Sequence, residues 1–163
     1  MQKIVPCLWF DDQAEEAVNR YVSIFRNSKI GQISRYDEAS AAVSGKPPGS
    51  VLTIDFQLEG QDFIALNGGP VFKLSEAMSL VVDCKTQAEV DELWTKLSDG
   101  GEEQPCGWLK DRYGLSWQII PTVLNEMLTD KDAAKASRVM QAMLQMTKID
   151  ISALQQAYEG STG

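Results

Sequence analysis

The stretch Cys106–Pro121, CGWLKDRYGLSWQIIP, reads as a β-hairpin. One extended arm carries Trp108, a turn falls near Arg112-Tyr113-Gly114, and an alternating arm follows. On that second arm Leu115, Trp117 and Ile119 point one way, and Ser116 and Gln118 point the other. A strand that turns a serine and a glutamine to one face builds a partly polar surface there. The chain contains no histidine, so the commonest metal ligand and the commonest general base are both missing.

A chain of 163 residues can bury a sizeable core, roughly 70% of its unfolded surface. The net charge of −8 argues against nucleic acid or an anionic membrane as partner, because both repel an acidic surface. No apolar run is long enough to span a bilayer. Met1-Gln2-Lys3 leads straight into an apolar strand without a signal-peptide layout, so a cytoplasmic location is expected. Cys7, Cys84 and Cys106 are scattered and show no C-x-x-C spacing, which disfavours a zinc site or redox dithiol. Cys106, beside Gly107, is the one candidate for an exposed reactive thiol, and no histidine is present to activate it.

Working outward from the hairpin, the chain repeats itself loosely. The first half opens with an apolar strand, Ile4–Phe10. Asp12 with Glu15 reads as a capping box for a helix carrying Ala14, Ala17, Val18, Tyr21, Val22 and Phe25. Strands are expected at Ile30–Tyr36, Val51–Leu58 and Phe63–Leu66, with a polar loop over Asp37–Ser50. The second half opens with a strand at Met78–Cys84. Thr86 with Glu89 forms a second capping box, for a helix with the stripe Val90, Leu93, Trp94 and Leu97. Strands at Gln104–Leu109 and Leu115–Ile120 follow. Each half thus reads strand–helix–strand–strand–strand, with the second strand of the second half poorly marked. After Pro121 the pattern is helical: Val123–Leu128, then Ala133–Met146, then a helix capped by Ser152 with Gln155, and a frayed tail from Gly160.

The motifs of several chemistries are absent. Neither G-x-G-x-x-G nor G-x-x-x-x-G-K-[ST] occurs, which counts against dinucleotide and nucleotide phosphate loops. Ser–His–Asp and Cys–His catalysis are excluded by composition. Asp11, Asp12, Asp55 and Asp83 could serve a metal, but capping and strand-end roles explain them better. Trp94 belongs to the core, and Trp9 and Trp117 are expected under the helices. Phe10, Phe63 and Trp108 are candidates for lining a cavity.

Three strings carry a resemblance: Pro6…Leu8-Trp9-Phe10…Ala14-Glu15-Glu16-Ala17…Tyr21, Phe63-Ile64-Ala65-Leu66-Asn67-Gly68-Gly69-Pro70, and Gly107–Pro121. With the halves' shared order, they make the chain resemble the PhnB-like branch of the vicinal oxygen chelate superfamily, the glyoxalase and bleomycin-resistance fold. That branch is often labelled 3-demethylubiquinone-9 3-methyltransferase. The resemblance spans about the whole chain. It implies an α+β fold of two βαβββ units whose mixed sheets curl into a cup, with a helical C-terminal extension. The expected segments, within one compact domain, are the first unit 1–70, the second unit 71–121 and the C-terminal helices 122–163. Metal-using superfamily members place ligands at four strand positions, which here correspond to Pro6, Ala65, Ala77 and Gln118. Glu76 is the one neighbour of these able to bind metal. The resemblance thus implies a metal-free small-molecule binder without a cofactor, its pocket drawn from Leu8, Phe10, Phe63, Ala65, Asn67, Ser79, Trp108, Ser116 and Gln118. The alternatives are a metal- or carboxylate-dependent enzyme on an oxygenated metabolite, and an interaction module with a vestigial cup. No catalytic residue is identified, and no cofactor loop accompanies the methyltransferase label. A homodimer is expected, with the Met-rich C-terminal helices at or near its interface.

Overall fold

The computed structural model describes residues 1–160; the frayed tail expected from Gly160 onward otherwise lies outside the described residues. The chain divides into two compact units, Met1–Leu74 and Ser75–Gly163.

The first unit runs β1 (Cys7–Phe10), α1 (Ala14–Ile24), β2 (Lys29–Arg35), α2 (Glu38–Ser44), β3 (Val51–Leu58) and β4 (Gln61–Asn67). Its sheet has the order β1-β4-β3-β2, with β1 parallel to β4 and the other pairs antiparallel. Helix α1 packs on β3 and β4. It buries Ala14, Ala17, Val18 and Tyr21, a stripe at helical spacing. Leu8, Phe10, Ile54, Phe56, Phe63 and Ala65 supply the sheet side of that core.

Two local expectations are corrected here. The Asp12–Glu15 capping box does not form: Gln13 is the N-cap residue and offers no side-chain bond. The Asn67 carboxamide takes over, its Oδ1 accepting from Ala14 N at 2.8 Å. The loop expected over Asp37–Ser50 contains α2, because Asp37 and Ser40 form a true capping box and Gly45 ends the helix in a left-handed conformation.

The second unit runs β5 (Ser79–Cys84), α3 (Gln87–Ser98), β6 (Glu102–Glu103), a 3-10 turn at Pro105–Gly107, β7 (Trp108–Lys110) and β8 (Ser116–Pro121). Three helices follow, α4 (Thr122–Leu128), α5 (Ala133–Met143) and α6 (Ile151–Glu159). The sheet order is β5-β8-β7-β6, with β5 parallel to β8. Both units therefore share the βαβββ order and the same strand arrangement. The poorly marked strand is β6, only two residues long, and the strand expected at Gln104–Leu109 is split by the 3-10 turn. Thr86 caps α3 as expected, accepting from Glu89 N. Glu89 returns its bond to Lys85 N instead of the cap.

The C-terminal helices belong to this unit. Gln87 on α3 donates to Ile149 O and accepts from Ile151 N, so one side chain of α3 holds the entry to α6. Leu124, Met127, Val139, Ile149 and Leu154 form the cluster between the three helices. Asp150, not Ser152, caps α6. Among the described residues no helix is long and apolar enough to cross a membrane.

The β7–β8 hairpin turns around Asp111, which is only 4% exposed. Its carboxylate accepts from Tyr113 N at 2.9 Å, Leu115 N at 3.1 Å and Trp117 Nε1 at 2.9 Å. Gly114, at φ 90°, closes the turn by donating to Asp111 O. Removing the carboxylate strands three donors, two of them in buried contacts. Asp111→Ala should therefore lower unfolding stability by about 3 kcal/mol in urea denaturation. A loss under about 1 kcal/mol would contradict this account of the turn.

Candidate functional site

Helix α3 packs on β5, β7 and β8 and covers one face of the second sheet. Leu109, Trp117 and Ile119 lie buried on that face. The alternate positions form the face opposite α3, and register orders them into two cross-strand rows. Ser79, Ser116 and Lys110 lie side by side on β5, β8 and β7. Val81, Gln118 and Trp108 form the next row. The structure thus brings four of the expected pocket residues, Ser79, Trp108, Ser116 and Gln118, onto one surface.

The polar groups there are unevenly satisfied. Gln118 Nε2 donates to Ser79 Oγ at 2.9 Å, and its Oε1 accepts nothing among the described residues. Ser79 accepts in that bond, which leaves its own O–H to donate elsewhere. Ser116 is fully buried, and its Oγ has no hydrogen-bond partner. An orphaned buried hydroxyl is rare in a folded protein and costs about 1–3 kcal/mol. At the end of the first row Lys110 Nζ pairs with Glu76 Oε1 at 2.5 Å. Gln104 Nε2 donates to the same oxygen at 3.3 Å. The Lys110 ammonium holds the Glu76 carboxyl below its usual range, and Glu76 in turn raises Lys110. Both groups are therefore charged at neutral pH, and the pair is lost as acid protonates Glu76 or as base deprotonates Lys110. Lys110 was missed in the sequence, although the hairpin register that pairs it with Ser116 places it on the Gln118 face.

The five expected pocket residues of the first unit lie on its own sheet. Leu8, Phe10, Phe63 and Ala65 are at most 5% exposed and belong to the core beneath α1. Asn67 is structural: beyond its bond to Ala14, Nδ2 donates to Val51 O at 3.2 Å, and its carbonyl accepts from Tyr36 Oη at 2.6 Å. Trp9 departs from its expected place under the helix. It lies on the opposite face, donates from Nε1 to Gly69 O and meets Phe72 edge-on at 4.9 Å. A Cβ at Gly68 would fall inside the Trp9 indole, which explains a glycine there. This unit also has a cavity of about 200 Å³ among Lys29, Gly31, Asp55, Gln57 and Asp62, bordered by Phe63.

Donor chemistry does not fit the superfamily's metal. Of the four corresponding positions, Pro6, Ala65 and Ala77 carry no donor, and Ala65 is fully buried. No group of three His, Cys, Asp or Glu side chains capable of holding an ion occurs among the described residues. The thiols offer no ready nucleophile to replace it. Burial pushes the Cys84 thiol up to about 12 and raises Cys7, while Cys106 is half-buried with no histidine to activate it.

Residues 2–120 match the family model described as 3-demethylubiquinone-9 3-methyltransferase. The chain belongs to this family. It is also 38% identical to the PhnB protein of Bacillus cereus, covering 74% of this chain and 100% of that one with a TM-score of 0.66. Protein PA1353 from Pseudomonas aeruginosa is 18% identical over 74% of this chain and 98% of its own, TM-score 0.59. The fosfomycin resistance protein FosX from Listeria monocytogenes is 13% identical over 77% and 97%, TM-score 0.50. At those identities the last two speak for the fold alone. A comparison with curated proteins gives no match. The family assignment and the paired βαβββ units together place the chain in the PhnB-like branch of the vicinal oxygen chelate superfamily.

Within this family member, the unsatisfied Ser116 hydroxyl has a measurable consequence. Ser116→Ala removes a buried group that bonds to nothing, so stability should hold or rise by about 1 kcal/mol in chemical denaturation. A loss beyond about 1 kcal/mol would mean that the hydroxyl is satisfied in the folded protein.

Proposed function

We propose that this PhnB-like protein binds a small oxygenated molecule, without a metal, on the face of the second unit's sheet opposite α3. Of the cup expected from the sequence, this reading uses one wall. The observation that carries it is the unpartnered, fully buried Ser116 hydroxyl beside the Ser79–Gln118 pair. A ligand oxygen at that point would accept from the Ser116 and Ser79 hydroxyls, and a ligand hydroxyl would also donate to Gln118 Oε1. Gln118 both donates and accepts, so it orients a neutral or anionic oxygen without needing a cation. Trp108 and Val81 flank it with apolar surface, the mixture of apolar wall and few polar anchors that small-molecule sites use.

The test is a thermal-shift screen of oxygenated metabolites in the presence of EDTA. A ligand that binds only the folded chain raises Tm in proportion to its concentration over Kd. Hits should survive EDTA and vanish in Gln118→Leu. That variant loses one half-buried bond to Ser79, so its own stability should fall by less than about 1 kcal/mol. Hits that require added zinc, nickel or manganese would favour the metal-dependent enzyme instead.

The reading extends to assembly. Met140 and Leu144, one turn apart on and just after α5, are 40% and 56% exposed. That apolar pair supports a homodimer with the C-terminal helices at or near the interface. Light scattering should give twice the 18.0 kDa chain mass at micromolar concentration, and a monomer would rule the dimer out.

A further inference from the structure

The first cross-strand row ends in a group that already holds a carboxylate. Lys110 Nζ and Gln104 Nε2 both bond to Glu76 Oε1. Glu76 lies outside any strand, in the exposed segment just before β5. Beside Lys110 in register sits the orphaned Ser116 hydroxyl, and beside that the free O–H of Ser79. Three donors in a row, one of them cationic, match a carboxylate better than a neutral carbonyl, which needs only one or two. The second row offers no charge: Val81, 62% exposed, and the Trp108 indole flank Gln118. A flat apolar body fits there, with its polar edge toward the Gln118 carboxamide.

We propose that the site takes a small organic carboxylate with a flat apolar body, the anion lying along Ser79, Ser116 and Lys110, and that Glu76 holds Lys110 until the ligand competes for it. This rests on the binding reading above and names its ligand class. The charged groups at the row are Lys110 and Glu76 themselves, with Glu102 acting on Lys110 from β6. Those two carboxylates oppose an incoming anion, so affinity depends on how readily Glu76 yields.

The experiment is an amide NMR titration of the whole chain with sodium benzoate, and with benzamide at matched ionic strength. Benzoate should shift the amides of Ser79, Lys110, Ser116 and Gln118 and bind at least fivefold more tightly than benzamide. Lys110→Met should abolish that preference, weakening benzoate at least fivefold more than benzamide. Glu76→Gln should tighten benzoate at least twofold, and an unchanged value overturns the role given to Glu76. Benzamide binding as tightly as benzoate at the same residues, or a preference that survives Lys110→Met, overturns the carboxylate assignment while the binding reading stands. If neither compound shifts those amides, both fall.

Discussion

The second unit's surface depends on one buried carboxylate. Asp111 collects two backbone donors and one indole donor from the four-residue turn and the strand that follows it. By holding Trp117 Nε1 it fixes the Trp117 ring on the α3 side of β8. Strand alternation then leaves Ser116 and Gln118 no choice but the opposite face. The same turn sets the register that places Lys110 beside Ser116 and Trp108 beside Gln118. A one-residue slip would bury Gln118 and expose Trp117, so the site exists only because the hairpin is pinned.

Asn67 does comparable work in the first unit with neutral groups. Its carboxamide joins the start of α1 to β3, and its carbonyl receives the Tyr36 hydroxyl. These bonds consume the groups that would make an asparagine useful to a ligand. The contrast with Ser116 is instructive: one polar side chain is fully used by the fold, and the other is buried with its hydroxyl idle.

What was legible in the sequence follows from how cleanly each strand alternates. β8 has Ser116 and Gln118 against Leu115, Trp117 and Ile119, so its faces read correctly. β1 and β4 are apolar on both faces, as in Leu8-Trp9-Phe10 and Phe63-Ile64-Ala65-Leu66. Period-2 reasoning cannot say which face of such a strand a helix covers, so the burial of Leu8, Phe10, Phe63 and Ala65 in the core is not legible there. Helix starts failed where tertiary bonds replaced local ones: Asn67, distant in sequence, does the capping expected of Asp12. The α2 helix was hidden because its stability comes from a two-residue box within a stretch of small and polar residues. The Lys110–Glu76 pair, between residues far apart in the chain, has no local signal.

The family connection and the donor chemistry pull in different directions, since the fold is shared with metal-using proteins while three of the four ligand positions here carry no donor. The surface built by Ser79, Ser116, Gln118 and Lys110 is the chemistry that remains. A crystal structure of untagged protein, purified without added metal and inspected over β5, β7 and β8, tests this most directly. The account predicts density for a small molecule within hydrogen-bond distance of Ser116 Oγ and beside the Gln118 carboxamide. A metal ion coordinated by Gln118, or a ligand lodged elsewhere with this face bare, would contradict it.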